Sequence, residues 1–222
     1  MVLGRGTGSK SGRALGALAL VVTLGALSAC GGSKYHYVDN ATEGTYFKVP
    51  SAWALFHLTA ADKEGRAAAL PTDTQRIWHV AFDAAKPANQ SDLDATEPGA
   101  VVGDVEIYAL SASDNDQASQ SALRRIVFGG FDPVLQDPGT PAQWEVVSYA
   151  PIVLGNGIVG SRTVINIPSA SEPNKWMTID GSEMFDSTLG RAYLLQMRCE
   201  SQCYLNDQKS ADEIATSWKV TK

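Results

Sequence analysis

Basic residues are in short supply in this sequence, and histidine and cysteine occur only three times each. Each shortage excludes something. The 18 basic residues face 24 acidic ones, and Arg5, Lys10 and Arg13 lie within the first 29 positions. Residues 30–222 therefore hold 15 basic against 24 acidic residues. An acidic chain without a basic stripe is a poor nucleic-acid binder and is poorly suited to lie flat on anionic lipid. None of His36, His57 and His79 has a second ligand at the spacing of a metal motif. No G-x-S-x-G elbow occurs, so serine-nucleophile hydrolysis has no support either.

What is present begins at the N-terminus. The basic stretch is followed by an uncharged, mostly apolar one from Ala14 to Leu27, then by Leu27-Ser28-Ala29-Cys30. The apolar stretch is shorter than the roughly 20 residues of a spanning helix. The order is that of a secretory signal, and small residues before a thiol are what lipid transfer and lipoprotein processing require. The expected organisation is a signal peptide over 1–29, a lipidated tether over 30–44 starting at Cys30, and a single α+β domain over 45–222. The expected location is the extracytoplasmic face of the cell membrane. Acyl chains, rather than the protein surface, are expected to hold the domain there. Cys199 and Cys203 are the other two cysteines, and export makes a disulfide the expected state, with half of a metal site as the alternative. Closing so small a loop contributes roughly 2 kcal/mol by chain entropy. Asn40-Ala41-Thr42 matches a glycosylation sequon, which in a bacterial lipoprotein reads as chance.

The body of the chain alternates as strands do. Strands are expected at Thr45–Val49, Trp53–Leu58, Arg76–Phe82, Val101–Ala109, Trp144–Ile152, Ile158–Ile167, Lys175–Met184 and Gly190–Cys199. Helical spacing appears at Ala60–Leu70 and again after Ser113, which with Asp116 resembles a capping box and leads to Ala118, Ala122 and Ile126, with Gly129-Gly130 as the stop. A last helix is expected from a Ser210/Glu213 capping box, with Ala211, Ile214, Ala215 and Trp218 on one stripe. Hairpin-linked strands with separate helices predict an antiparallel sheet flanked by helices.

Pro50-Ser51-Ala52-Trp53 after an early strand, a late hairpin into Tyr193–Met197, and a final helix ending Ile214-Ala215-Thr216-Ser217-Trp218-Lys219-Val220 resemble PsbP-like domains. Ala52 stands where that family often has glycine. The resemblance implies an α/β/α sandwich acting as a noncatalytic interaction or assembly module, and it brings no catalytic residues.

Candidate chemistry is weighed against packing. Gly155-Asn156-Gly157-Ile158-Val159-Gly160 satisfies G-x-G-x-x-G, with Asp180 beyond it. A dinucleotide site needs a helix after the glycines, and a β-branched run follows instead, so a hairpin turn is expected. Asp104 and Glu106 share a strand face, and Asp92, Asp94 and Glu97 crowd one loop; a solvated acidic surface is expected in preference to a calcium or acid/base site. His79 is read as a solvated or hydrogen-bonded sheet residue. Trp53, Trp78 and Trp218 read as core, and Trp144 and Trp176 as packed or as an exposed pair that anchors a partner. The expectation is a nonenzymatic, membrane-anchored module for a protein or envelope component, without cofactor or metal. The alternative is a carrier of lipid or another hydrophobic small molecule in an apolar cavity.

Overall fold

The computed structural model describes residues 33–59, 74–135, 143–154, 157–172, 174–186, 188 and 190–221. Among these residues the architecture is α+β, with two antiparallel sheets and three α-helices. The large sheet has seven strands in the order β3 (Ala54–His57), β4 (Gln75–Asp83), β5 (Val102–Ala109), β9 (Arg191–Glu200), β8 (Trp176–Asp186), β7 (Val159–Pro168) and β6 (Glu145–Val153). The small sheet joins β1 (Tyr35–Asn40), β2 (Thr45–Pro50) and β10 (Lys219–Val220). The helices are α1 (Ala112–Gln117), α2 (Gln120–Val127) and α3 (Ser201–Ser217).

Alternation assigns each strand residue to one of two faces. One face carries Val80, Phe82, Val105, Ile107, Tyr193, Leu195 and Met197, and packs with the small sheet and α3 into the main core. The other carries Tyr108, Ala192, Leu194 and Ile165, and packs against α2 through Leu123, Ile126 and Val127. Two glycines permit this closeness. A Cβ on Gly103 would meet the Phe82 ring and the Gln196 carbonyl, and one on Gly181 would meet Val127 and Phe128 of the α2 layer.

Three expectations are corrected. Residues Tyr35–Asn40, read as tether, form β1, because Val38 is buried and the whole strand pairs with β2. The helix expected after Ser113 is two short helices. Ser111 caps the first by accepting from the Asp114 amide, and Ser119 caps the second by accepting from the Ala122 amide. Extended backbone at Ala118 ends the first helix, and the short polar side chain of the next residue, Ser119, starts the second. The final helix starts at Ser201 rather than at Ser210, since buried Tyr204, Ala211 and Ile214 continue its apolar stripe back to the end of β9. Ser210 and Glu213 thus lie mid-helix and form no capping box. The helix expected at Ala60–Leu70 lies outside the described residues.

Candidate functional site

In β4 and β5, Arg76 stands opposite Tyr108 and His79 opposite Glu106. The alternation that buries Val80 and Val105 turns His79, Asp104, Glu106 and Tyr108 to the α2 side, and the β-bulge between Arg76 and Trp78 brings Arg76 to the same side. There α2 covers β7, β8 and β9, and the face over β4 and β5 is polar. Arg76 Nη1 donates to Glu106 Oε1 at 2.7 Å, and the Tyr108 hydroxyl donates to Glu106 Oε2 at 2.9 Å. His79 Nε2 lies 3.2 Å from Asp104 Oδ2. Arg198 Nη2 donates to the Leu93 and Ala95 carbonyls at 2.6 and 3.2 Å, tying the 3-10 turn Gln90–Asp94 to the sheet. Arg76, His79, Asp104, Glu106 and Arg198 line a cavity of about 260 Å³. His79 Nε2, an Asp104 oxygen and a Glu106 oxygen lie within 4.8 Å of one another, a spacing one divalent cation can bridge. Charge opposes that use, because the Arg76 guanidinium already sits on the same Glu106 carboxylate. The lining, with charges of both signs, suits small polar groups rather than an acyl chain.

A second ionisable cluster lies beneath α2. Arg124 Nε and Nη2 donate to the two Asp132 oxygens at 2.8 and 2.9 Å, and Nη1 reaches Ser161 Oγ at 3.3 Å. Ser161 in turn donates to Glu183. Burial opposes ionisation of Asp132, but hydrogen bonds from Arg124 and Ser121 keep its carboxyl below the usual range. Burial wins at Glu183, whose carboxyl is pushed up to about 8. Glu183 Oε2 and Thr163 Oγ1 have no hydrogen-bond partner among the described residues.

On the opposite face, Arg162 bridges Asp180, at 2.9 and 2.6 Å, and Asp212 of α3, at 2.7 Å. The Tyr204 hydroxyl donates to Asp180 at 2.7 Å. Burial and the Asp180 carboxylate push the Tyr204 phenol up, while the two carboxylates hold the Arg162 guanidinium high against its burial. Asp180 is therefore the centre of a helix–sheet clamp, not a ribose ligand. Gly157, at φ +85°, sits in a turn that enters strand β7, so the glycine run has no helix to aim at a phosphate.

The remaining sequence candidates separate cleanly. Cys30 lies outside the described residues, and Cys199 and Cys203 are joined by a disulfide between β9 and α3. Asp104 and Glu106 do share a face, yet Glu106 is buried rather than solvated. Glu97 is bonded by Ser169 and Ser171, which hold its carboxyl at about 2. His36 is half-buried and His57 exposed. Trp53 and Trp218 are buried, and Trp78 packs against the core. Trp144 is half-buried on Phe131, whereas Trp176 is 43% exposed, so the two do not form an exposed pair. Sequence reasoning missed Arg76, Arg124, Asp132, Arg162, Glu183 and Tyr204. For Arg76, Arg162 and Glu183 the available signal was a charged residue inside a strand, as at Glu183 beside Met184.

β6 is different in kind. It forms the edge of the large sheet, and eight of its nine residues are exposed. Val146, Tyr149 and Val153, at 37, 44 and 76% exposure, stand on the α2 side of that edge.

No protein-family model matches this chain, and no curated protein sequence matches it significantly. Solved structures do share its shape. The solution structure of a cyanobacterial PsbP from Synechocystis aligns with a TM-score of 0.51 at 14% identity, covering 89% of this chain and 99% of that one. LpqN of Mycobacterium tuberculosis, a protein involved in cell envelope biogenesis, gives 0.45 at 13% identity over 85% and 91%. The Ran-binding protein Mog1p of Saccharomyces cerevisiae gives 0.42 at 12% over 84% and 95%. The cyanobacterial alignment establishes a PsbP-like α+β fold. At such identities it concerns the fold alone.

Proposed function

We propose that this chain is an extracytoplasmic lipoprotein, held at the cell membrane through Cys30, that acts as a nonenzymatic binding or assembly module for a protein of the envelope. The observation that carries the binding role is the β6 edge. An exposed apolar row of Val146, Tyr149 and Val153 is the kind of surface that a partner covers. Strand addition is not the favoured mode. The register shift between Val146 and Ser148 and the missing amide of Pro151 both interrupt the edge as a template. Docking through side chains fits better. The anchor reading rests on the basic, apolar and small-residue order ending at Cys30. No helix among the described residues is long and apolar enough to cross a membrane. The carrier alternative is the weaker one: a cavity of about 330 Å³ opens between β6–β8 and α3, but Arg162, Asn166, Thr178 and Asp212 in its lining suit polar groups rather than an acyl chain.

The test is a photo-crosslinker placed at Tyr149 or Val153 in the intact lipoprotein in its own membrane, with exposed Thr216 as control. One defined protein adduct at the two β6 positions and none at Thr216 is expected. Equal yields at all three positions, or adducts to lipid alone, would overturn the binding role. Cys30→Ala tests the anchor separately. The protein should be released or retain its signal, and a processed variant still bound to membrane contradicts the anchor.

A further inference from the structure

We infer that the outer face of the small sheet β1–β2–β10 is the membrane-facing side of the domain and lies against anionic lipid headgroups. The inference rests on the reading of Cys30 as the lipid anchor. Gly31, Gly32 and Ser33 alone separate Cys30 from Lys34, and β1 begins at Tyr35. A stretch from Cys30 to Lys34 spans at most roughly 14 Å even when fully extended. With β1 formed, the long tether expected from sequence is gone. The end of the domain that carries Lys34 stays at the headgroup layer.

That end has the right chemistry. Alternation sends Val38, Phe47 and Val49 into the core and turns Tyr35, Tyr37, Tyr46 and Lys48 outward. Lys219 of β10 stands opposite Tyr46 and shares its face. The Lys34 and Lys48 ammonium groups lie 5.1 and 4.3 Å from the centre of the Tyr35 ring. Tyr37, 60% exposed, stacks on Tyr46 with ring centres 6.2 Å apart. From α3, Lys209 joins Lys34 and Tyr35 around one shallow depression. Among the described residues, two carboxylates face this group. Glu213 accepts the Tyr35 hydroxyl at 2.6 Å, and Asp39 lies farther along β1. Four lysines against two carboxylates make this face cationic, in a mature chain where 24 acidic residues outnumber 15 basic ones. Ammonium groups pair with lipid phosphates, and phenol rings settle at the membrane–water boundary. A one-sided cationic face beside the anchor would orient the domain, turning its acidic remainder and the β6 edge to the aqueous side.

The experiment uses the intact, lipidated protein in vesicles of phosphatidylglycerol with phosphatidylethanolamine, or of phosphatidylcholine alone. Lysines are acylated under mild conditions and mapped by mass spectrometry. One lysine near an anionic surface gains roughly fivefold in attraction. Lys34, Lys48, Lys209 and Lys219 should react about fivefold more slowly on anionic than on neutral vesicles, with the difference gone at about 0.5 M salt. Lys86 and Lys175 should react alike on both. Equal reactivity of all six, with the protein still sedimenting with the vesicles, overturns the inference and leaves the anchor standing. Protection that persists on neutral vesicles and in salt also overturns it, since headgroup charge is then not the cause. Failure to sediment overturns the anchor reading and the inference with it. Lys34→Gln combined with Lys209→Gln alters exposed side chains only and should reduce the protection of Lys219 without changing Tm.

Discussion

The side of the large sheet that faces α3 and the small sheet is a broad apolar layer with two ionic ties among the described residues, Arg162–Asp180–Asp212 and Arg191–Glu43. On the side that faces α2, a smaller apolar cluster is interrupted by Arg76–Glu106, His79–Asp104 and Arg124–Asp132–Glu183. The same strands build both faces by the same alternation. The difference lies in the cover. Among the described residues, a 17-residue helix and a second sheet exclude water from one face, while an eight-residue helix covers only part of the other. Stability should therefore be concentrated on the α3 side, and titratable behaviour on the α2 side.

The largest expected effect tests the first half of that contrast. Phe82→Ala removes a ring packed on Trp53 and against Gly103, and should cost about 4 kcal/mol in denaturant unfolding. A cost below 1 kcal/mol would show that the α3 side is not the main source of stability. Next, Arg124→Met leaves the Asp132 carboxylate buried without its bidentate partner and should cost about 3 kcal/mol. Restoring stability with the double variant Arg124→Met/Asp132→Leu would show that the pair as a whole adds little, as buried ion pairs often do.

The third effect depends on pH. The Glu183 carboxyl ionises near its ordinary value of 4.5 when unfolded and at about 8 when folded. The folded state therefore binds the extra proton between those values. The stabilisation from the neutral acid is complete below pH 4.5 and is lost as pH rises through 8. Glu183→Gln should match the parent near pH 5 and exceed it by on the order of 2 kcal/mol at pH 9. Unfolding curves with the same pH slope for both proteins would remove Glu183 from the account. The smallest stability effect is expected at the β6 edge. Val153→Asp, at a 76% exposed position, should change unfolding free energy by less than about 0.5 kcal/mol. In the crosslinking experiment the same change should abolish the adduct at Tyr149. A large stability loss would mean that β6 is a structural edge and not a docking surface.

Strand positions were legible because alternation is local. Val105 and Ile107 against Asp104 and Glu106 announce a two-faced strand wherever it lies in the fold. The Asp104/Glu106 pairing on one face was legible for the same reason. Its burial was not, since that depends on Arg76 and Tyr108 arriving from register partners and neighbours. The start of α3 was misread because Ser210 and Glu213 satisfy a capping pattern that tertiary contacts of Tyr204 override. Of the small sheet only β2 was legible. β1 pairs with β2 nearby, but β10 joins from the far end of the chain, and two residues of strand leave no periodic trace.

By itself the sequence determined the α+β class, most strands, the acidic balance and the signal-like order ending at Cys30, all of which follow from local pattern and composition. Tertiary structure alone decided which charges share a site. Lys34, Lys48, Lys209 and Lys219 look like isolated cations along the chain and become one face only when β1, β2, β10 and α3 meet. Charge acts through space and not along the backbone, so its arrangement is known only once the chain has folded.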